Sequence, residues 1–114
     1  MSTPVGPYTP IVRAGSFLYA SGQLGLLDGA LVEGVAAQTA QALRNLAALV
    51  ELEGATLDQV VKTTVFLADM EDFLTMNEAY VAGFGDHRPA RSAVAVAALP
   101  LGAAVEIEAV IHIG

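Results

Sequence analysis

A chain of 114 residues is one domain's worth of sequence, 1–114, and long enough to bury one core. Only 15% of the residues are charged against 54% hydrophobic, where about 25% charged is usual; so thin a polar coat predicts burial of part of the surface against copies of the same chain, although 21 alanines raise the apolar share without making sticky patches. Five Lys and Arg against twelve Asp and Glu leave a net charge of -7 and no basic run, which excludes a non-specific nucleic-acid binder, because such a protein needs clustered cations to displace phosphate counterions.

Ser2 to Pro10 carries three prolines and is predicted to lie extended over the domain, since proline suits neither a helix interior nor a central strand. Ile11 to Arg13 and Phe17 to Ala20 are β-like runs around Ala14-Gly15-Ser16, a hairpin signal. Ser21-Gly22-Gln23 follows, then Leu24 to Leu27 and a turn at Asp28-Gly29. From Val35 to Glu53, Ala36, Ala40, Leu43, Ala47 and Val50 recur at helical steps and predict one shared face, with Gly54 as the stop. Val61 to Leu67 alternates as a strand, with Val61, Thr63, Val65 and Leu67 on one side. Asp69 is placed to cap a second helix whose first turn holds Glu71 and Asp72, where the dipole favours anions. Phe73, Asn77, Tyr80 and Phe84 form that helix's face and Gly85 ends it. Arg91 to Val96 is a further strand, and Pro100-Leu101-Gly102 makes a tight connection. Ala104 to Ile113 has the clearest period: Val105, Ile107, Ala109, Ile111 and Ile113 face one way, Glu106, Glu108, Val110 and His112 the other. This order predicts an α+β fold with both helices on one face of a mixed β-sheet. Its open face would carry Glu106, Glu108 and small alanines, and an oligomer would cover it.

The chain has no Cys, hence no disulfide, thiolate metal site or thiol nucleophile. His87 and His112 have no ligand-spaced partner, so no metal is expected. The N-terminus lacks a secretory pattern and no apolar run reaches about 18 residues, which predicts a cytoplasmic protein with no membrane partner. Arg91 opens an otherwise small, apolar strand, and its planar fork suits a carboxylate. Glu106 sits mid-strand among aliphatics, where burial would raise its pKa and let it hold and polarise a water. Spacing alone also fits an ordinary Arg–Glu pair bridging neighbouring strands. Glu108 reads as solvated or paired, His112 as a sheet-face residue and His87 as a solvated loop histidine. Tyr80 and Phe84 belong to the core. Asn77, polar on an apolar stripe, must find a partner at a strand end or in a ligand. The glycines around Gly22 and Gly25 match no phosphate loop.

Together, Gly6-Pro7-Tyr8, Ala20-Ser21-Gly22-Gln23, Val61-Lys62-Thr63-Thr64-Val65-Phe66-Leu67, Asp72-Phe73, Asn77, Tyr80, Pro89-Ala90-Arg91-Ser92, Leu99-Pro100 and Val105-Glu106-Ile107-Glu108-Ala109 resemble the RidA/YjgF family, the reactive intermediate deaminases, nearly end to end. The resemblance implies a chorismate-mutase-like fold and a homotrimer with three clefts, each between two subunits. It implies a hydrolase of the 2-iminobutanoate/2-iminopropanoate deaminase type, which converts 2-imino and 2-enamino acids to 2-oxo acids and ammonia without a cofactor. Its partner is then a small imino or oxo acid. In that family's pattern Arg91 matches the residue on the substrate carboxylate and Glu106 the carboxylate on the attacking water. Tyr8, Ser21 and Asn77 match positions that line or shape the pocket. At Ala93, where many relatives carry Cys, main-chain groups can still contact the ligand but a thiol switch is absent. The Gly85-Asp86-His87-Arg88 loop is shorter than usual in the family, and Arg88 adds a cation near the cleft mouth. An alternative is a non-catalytic module that binds a small carboxylate in the same cleft. RNA cleavage, also attached to the family, fits poorly with the charge of -7 and the lack of an acid–base histidine pair.

Overall fold

The computed structural model describes residues 6–114; of the proline-rich opening, residues 2–5 lie outside that range. The elements follow as β1 (Ile11–Ala14), β2 (Phe17–Leu24), β3 (Leu26–Leu27), β4 (Ala30–Leu31), α1 (Val35–Leu52), β5 (Val60–Leu67), α2 (Phe73–Phe84), β6 (Ala90–Ala95) and β7 (Val105–His112). Five strands form one sheet in the order β1-β2-β7-β5-β6. Its pairs are antiparallel except β5 with β6, which run parallel. The sheet is therefore mixed, with two helices packed on one face, the α+β arrangement expected. Among the described residues no helix is long and apolar enough to cross a membrane.

The period-2 pattern of β7 holds: Val105, Ile107, Ala109 and Ile111 are buried, and they pack with Leu18 of β2, Val65 and Leu67 of β5, Leu43, Leu46 and Val50 of α1, and Met76, Tyr80 and Phe84 of α2. Each such large apolar side chain contributes roughly 1.5–3 kcal/mol when fully buried. The hairpin β1–β2 also forms, turning at Gly15 with φ 60. Its second strand runs on through Ser21-Gly22-Gln23, where its register on β7 slips in a bulge. The Asp28-Gly29 turn joins β3 to β4, a strand the sequence pattern did not reveal.

Four expectations need correction. The buried residues of α1 are Gln38, Thr39, Gln41, Ala42, Leu43, Leu46, Leu49 and Val50, so of the expected face Leu43 and Val50 are in the core; Ala36 is exposed, and Ala40 and Ala47 line a groove against α2. The leucines have more apolar area to remove from water, so the helix turns them to the core. The small alanines fall beside α2, where a Cβ on Gly83 would strike Leu43. In β5 the register shifts between Val60 and Lys62, so Val60 takes the core place and Val61 is exposed. Asp69 caps only a 3₁₀ turn, its Oδ1 accepting from the Glu71 amide at 2.9 Å, and α2 begins at Phe73. The open sheet face carries Val12, Phe17, Tyr19, Lys62, Phe66, Val94 and Val110 beside the two glutamates; of the alanines in these strands it holds Ala14 and Ala90, whereas Ala20, Ala93 and Ala109 belong to the helix face.

Candidate active site

The alternation of β7 places Glu106 on the open face, where its carboxylate lies against Gly22 in the β2 bulge. The Ser21 amide donates to Pro10 O at 2.8 Å and its hydroxyl to Thr9 O at 2.7 Å, which ties residues 8–10 over the bulge. A Cβ on Gly22 would collide with the Glu106 carboxylate, so only glycine lets that side chain lie across the strand. Tyr8, Ser21, Gly22, Leu24, Pro100 and Glu106 bound a hollow of about 260 Å³. Burial, and then the charge of Glu108, push the Glu106 carboxyl above its ordinary 4.5. A half-buried carboxylate with a raised pKa beside a hollow can hold a water and accept a proton.

Arg91 stands on the other face. Its pairing with Thr63, a fully buried residue, turns it toward α2 at the sheet's edge strand. Its Nη1 donates to Asn77 Oδ1 at 2.8 Å and approaches Met76 Sδ at 3.9 Å. The guanidinium carbon lies 4.8 Å from the Tyr80 ring centroid and 5.6 Å from that of Phe73, within cation–π range. Tyr80 is itself fixed by a buried bond of 2.6 Å to the Thr63 hydroxyl. Burial raises the Tyr80 phenol pKa, while the Thr63 bond and the guanidinium oppose that rise. Among the described residues no carboxylate bonds to Arg91; its partners are neutral. Ala93 follows on the same face, packed against the core.

The structure thus joins the candidate residues into two groups. Tyr8, Ser21 and Glu106 share one hollow, and Arg91, Asn77 and Ala93 share the helix side of β6. Within one chain the groups are not in contact, since Glu106 pairs with Phe66 on the open face while Arg91 pairs with Thr63 on the covered one. The bridging Arg–Glu pair that spacing allowed does not form. His87 also departs from a solvated loop residue: it is half-buried, and its Nε2 donates to Val60 O at 2.7 Å. Arg88 folds back, donating from Nη1 to the Gly85 and His87 carbonyls. Sequence reasoning missed Gly22 as the seat of the Glu106 carboxylate, and it placed Tyr80 in the core alone. The available signal was Phe73, Asn77 and Tyr80 at steps of four and three, one helix surface able to hold a cation.

A 2-iminobutanoate/2-iminopropanoate deaminase of Mus musculus is 49% identical over 109 residues, which is 93% of this chain and 81% of that protein. The crystal structure of RidA from an Antarctic Psychrobacter matches with a TM-score of 0.94 at 44% identity, covering 97% of this chain and 92% of that one. The structure of E. coli TdcF with bound serine matches with a TM-score of 0.91 at 37% identity, covering 96% and 90%. The family model described as Endoribonuclease L-PSP spans residues 1–113. By sequence along nearly its whole length and by backbone geometry, the chain belongs to the RidA/YjgF family.

Proposed function

We propose that this chain hydrolyses small 2-imino and 2-enamino acids to 2-oxo acids and ammonia, in the cytoplasm, at clefts between the subunits of a chorismate-mutase-like homotrimer. The observation that carries this reading is Arg91, a half-buried cation with neutral partners only. Such a group is a receptor for a carboxylate. Glu106 supplies the second requirement, a carboxylate of raised pKa beside a hollow.

The two lie on opposite faces of one sheet, so the proposed cleft takes Arg91 from one copy and Glu106 from the next. The edge strand β6 of one subunit then sits over the neighbour's Tyr8, Ser21 and Glu106. The exposed Val12, Phe17, Tyr19 and Val94 supply apolar surface for that contact. The name of the mouse relative and the serine held by E. coli TdcF point to the same substrate class, small molecules with an amino-acid carboxylate. The charge of -7 disfavours RNA.

Arg91 holds the substrate carboxylate and main-chain groups at Ala93 flank it. Glu106 accepts a proton from water as the water oxygen bonds to the imine carbon, and the C=N electron pair moves to nitrogen. Glu106 passes that proton to the nitrogen; the hydroxyl proton then follows to nitrogen as a C=O bond forms and the C–N bond breaks, so that ammonia leaves and a 2-oxo acid remains. The imine carbon is already electrophilic, so alignment of water and substrate supplies much of the remaining barrier. The test is release of 2-oxobutanoate from 2-iminobutanoate made in situ by an amino-acid oxidase. Release faster than the spontaneous rate is expected; an unchanged rate, with 2-oxobutanoate still bound, would leave a carboxylate-binding module instead.

A further inference from the structure

A half-buried arginine in a folded protein ordinarily takes a carboxylate partner, since burial of an unpaired charge is costly. Arg91 takes none among the described residues. Its Nη1 is oriented by a side-chain amide, Asn77 Oδ1 at 2.8 Å, and the guanidinium rests against the faces of Tyr80 and Phe73. Tyr80 cannot swing away without breaking its buried bond to Thr63. An amide and a carboxylate have nearly the same shape, so an acid at position 77 would reach the same guanidinium nitrogen. It would also bring a charge, form a strong ion pair and occupy the fork.

We propose that Asn77 is a positioning residue that aims Arg91 without neutralising it, so that the choice of an amide over an acid at this position keeps the fork open to the substrate's carboxylate. This reassigns Asn77 from a pocket-lining contact to a residue that acts through Arg91, and it rests on the deaminase reading. The consequence separates binding from stability. An acid at position 77 strengthens the fold locally while it shuts out the ligand. A residue with a merely structural role would lose both together.

The experiment compares wild type with Asn77→Asp and Asn77→Ala in the full chain. It measures 2-oxobutanoate binding by calorimetry, KM and kcat for 2-iminobutanoate, and the thermal midpoint. For Asn77→Asp the Kd and KM are expected to rise roughly tenfold or more, with kcat within about threefold and the midpoint equal to or above wild type. For Asn77→Ala the Kd and KM are expected to rise roughly threefold to tenfold. Wild-type affinity in Asn77→Asp would overturn the proposal, as would a loss of affinity matched by a fallen midpoint in both variants. Failure of the wild type to turn over imine, with 2-oxobutanoate binding still lost in Asn77→Asp, would remove the deaminase reading and leave Asn77 as the positioning residue of a carboxylate receptor.

Discussion

The two faces of the sheet handle charge in opposite ways. On the helix face a cation, Arg91, is held by an amide, a thioether and two rings. On the open face an anion, Glu106, is seated over a glycine beside a hollow, with another anion, Glu108, raising its pKa further. Neither charge is neutralised by its own chain among the described residues. The unpaired cation on one face and the unpaired anion on the other are the two groups that the proposed cleft between copies would bring together, around a substrate with an acid at one end and an electrophilic carbon beside it.

The sharpest way to break the contrast is to remove the cation. Arg91→Ala is expected to lose about 2–4 kcal/mol of transition-state stabilisation, roughly 30- to 1000-fold in kcat/KM for 2-iminobutanoate; steady-state kinetics of the pure variant check it. Glu106→Gln removes the anion with little change of shape and should lower kcat roughly 10- to 100-fold. It also has a stability signature. Because the folded pKa of Glu106 is raised, the native state holds that proton more tightly than the unfolded chain. The group's contribution to stability is therefore present at low pH and lost as pH rises through the folded value. Glu106→Gln should gain in thermal midpoint over wild type more at about pH 7 than at about pH 4, which scanning calorimetry at both values reads.

Gly22→Ala attacks the seat rather than the charge. Its Cβ displaces the Glu106 carboxylate, so kcat should fall roughly tenfold while 2-oxobutanoate affinity, set by Arg91, moves little. The smallest effect belongs to Glu108→Gln. Removing the like charge lowers the Glu106 pKa, so the acid limb of the pH–rate profile moves to lower pH with little change at neutrality.

Much of the fold was legible because β7 and α2 advertise their periods. Val105, Ile107, Ala109 and Ile111 alternate without interruption, and Gly85 ends α2 with φ 65. What was hidden depended on competition between elements. The roll of α1 was settled by which face had more apolar area to bury, and a pattern of alanines at helical steps does not reveal that. The bulge at Val60–Lys62 reversed the facing of Val61 within an otherwise regular strand. The site followed the same division. Arg91 and Glu106 stood out as charged residues in apolar strands. The parity that sends them to opposite faces follows from the register of β5 with β6 and β7, which is set by tertiary pairing rather than by either segment. The neutral cradle of Arg91 needed two elements at once, since Asn77 and Tyr80 are on α2 and Thr63 is on β5.

The most direct measurement joins the two faces through two variants, each defective at one. Arg91→Ala and Glu106→Gln chains are unfolded together, refolded as a mixture and assayed for 2-oxobutanoate release against each variant refolded alone. If each cleft draws its guanidinium from one subunit and its carboxylate from the next, random assembly leaves about a quarter of the clefts with both groups intact, and activity should return to roughly a quarter of wild type. A mixture no more active than the mean of its two components would contradict a site shared between subunits.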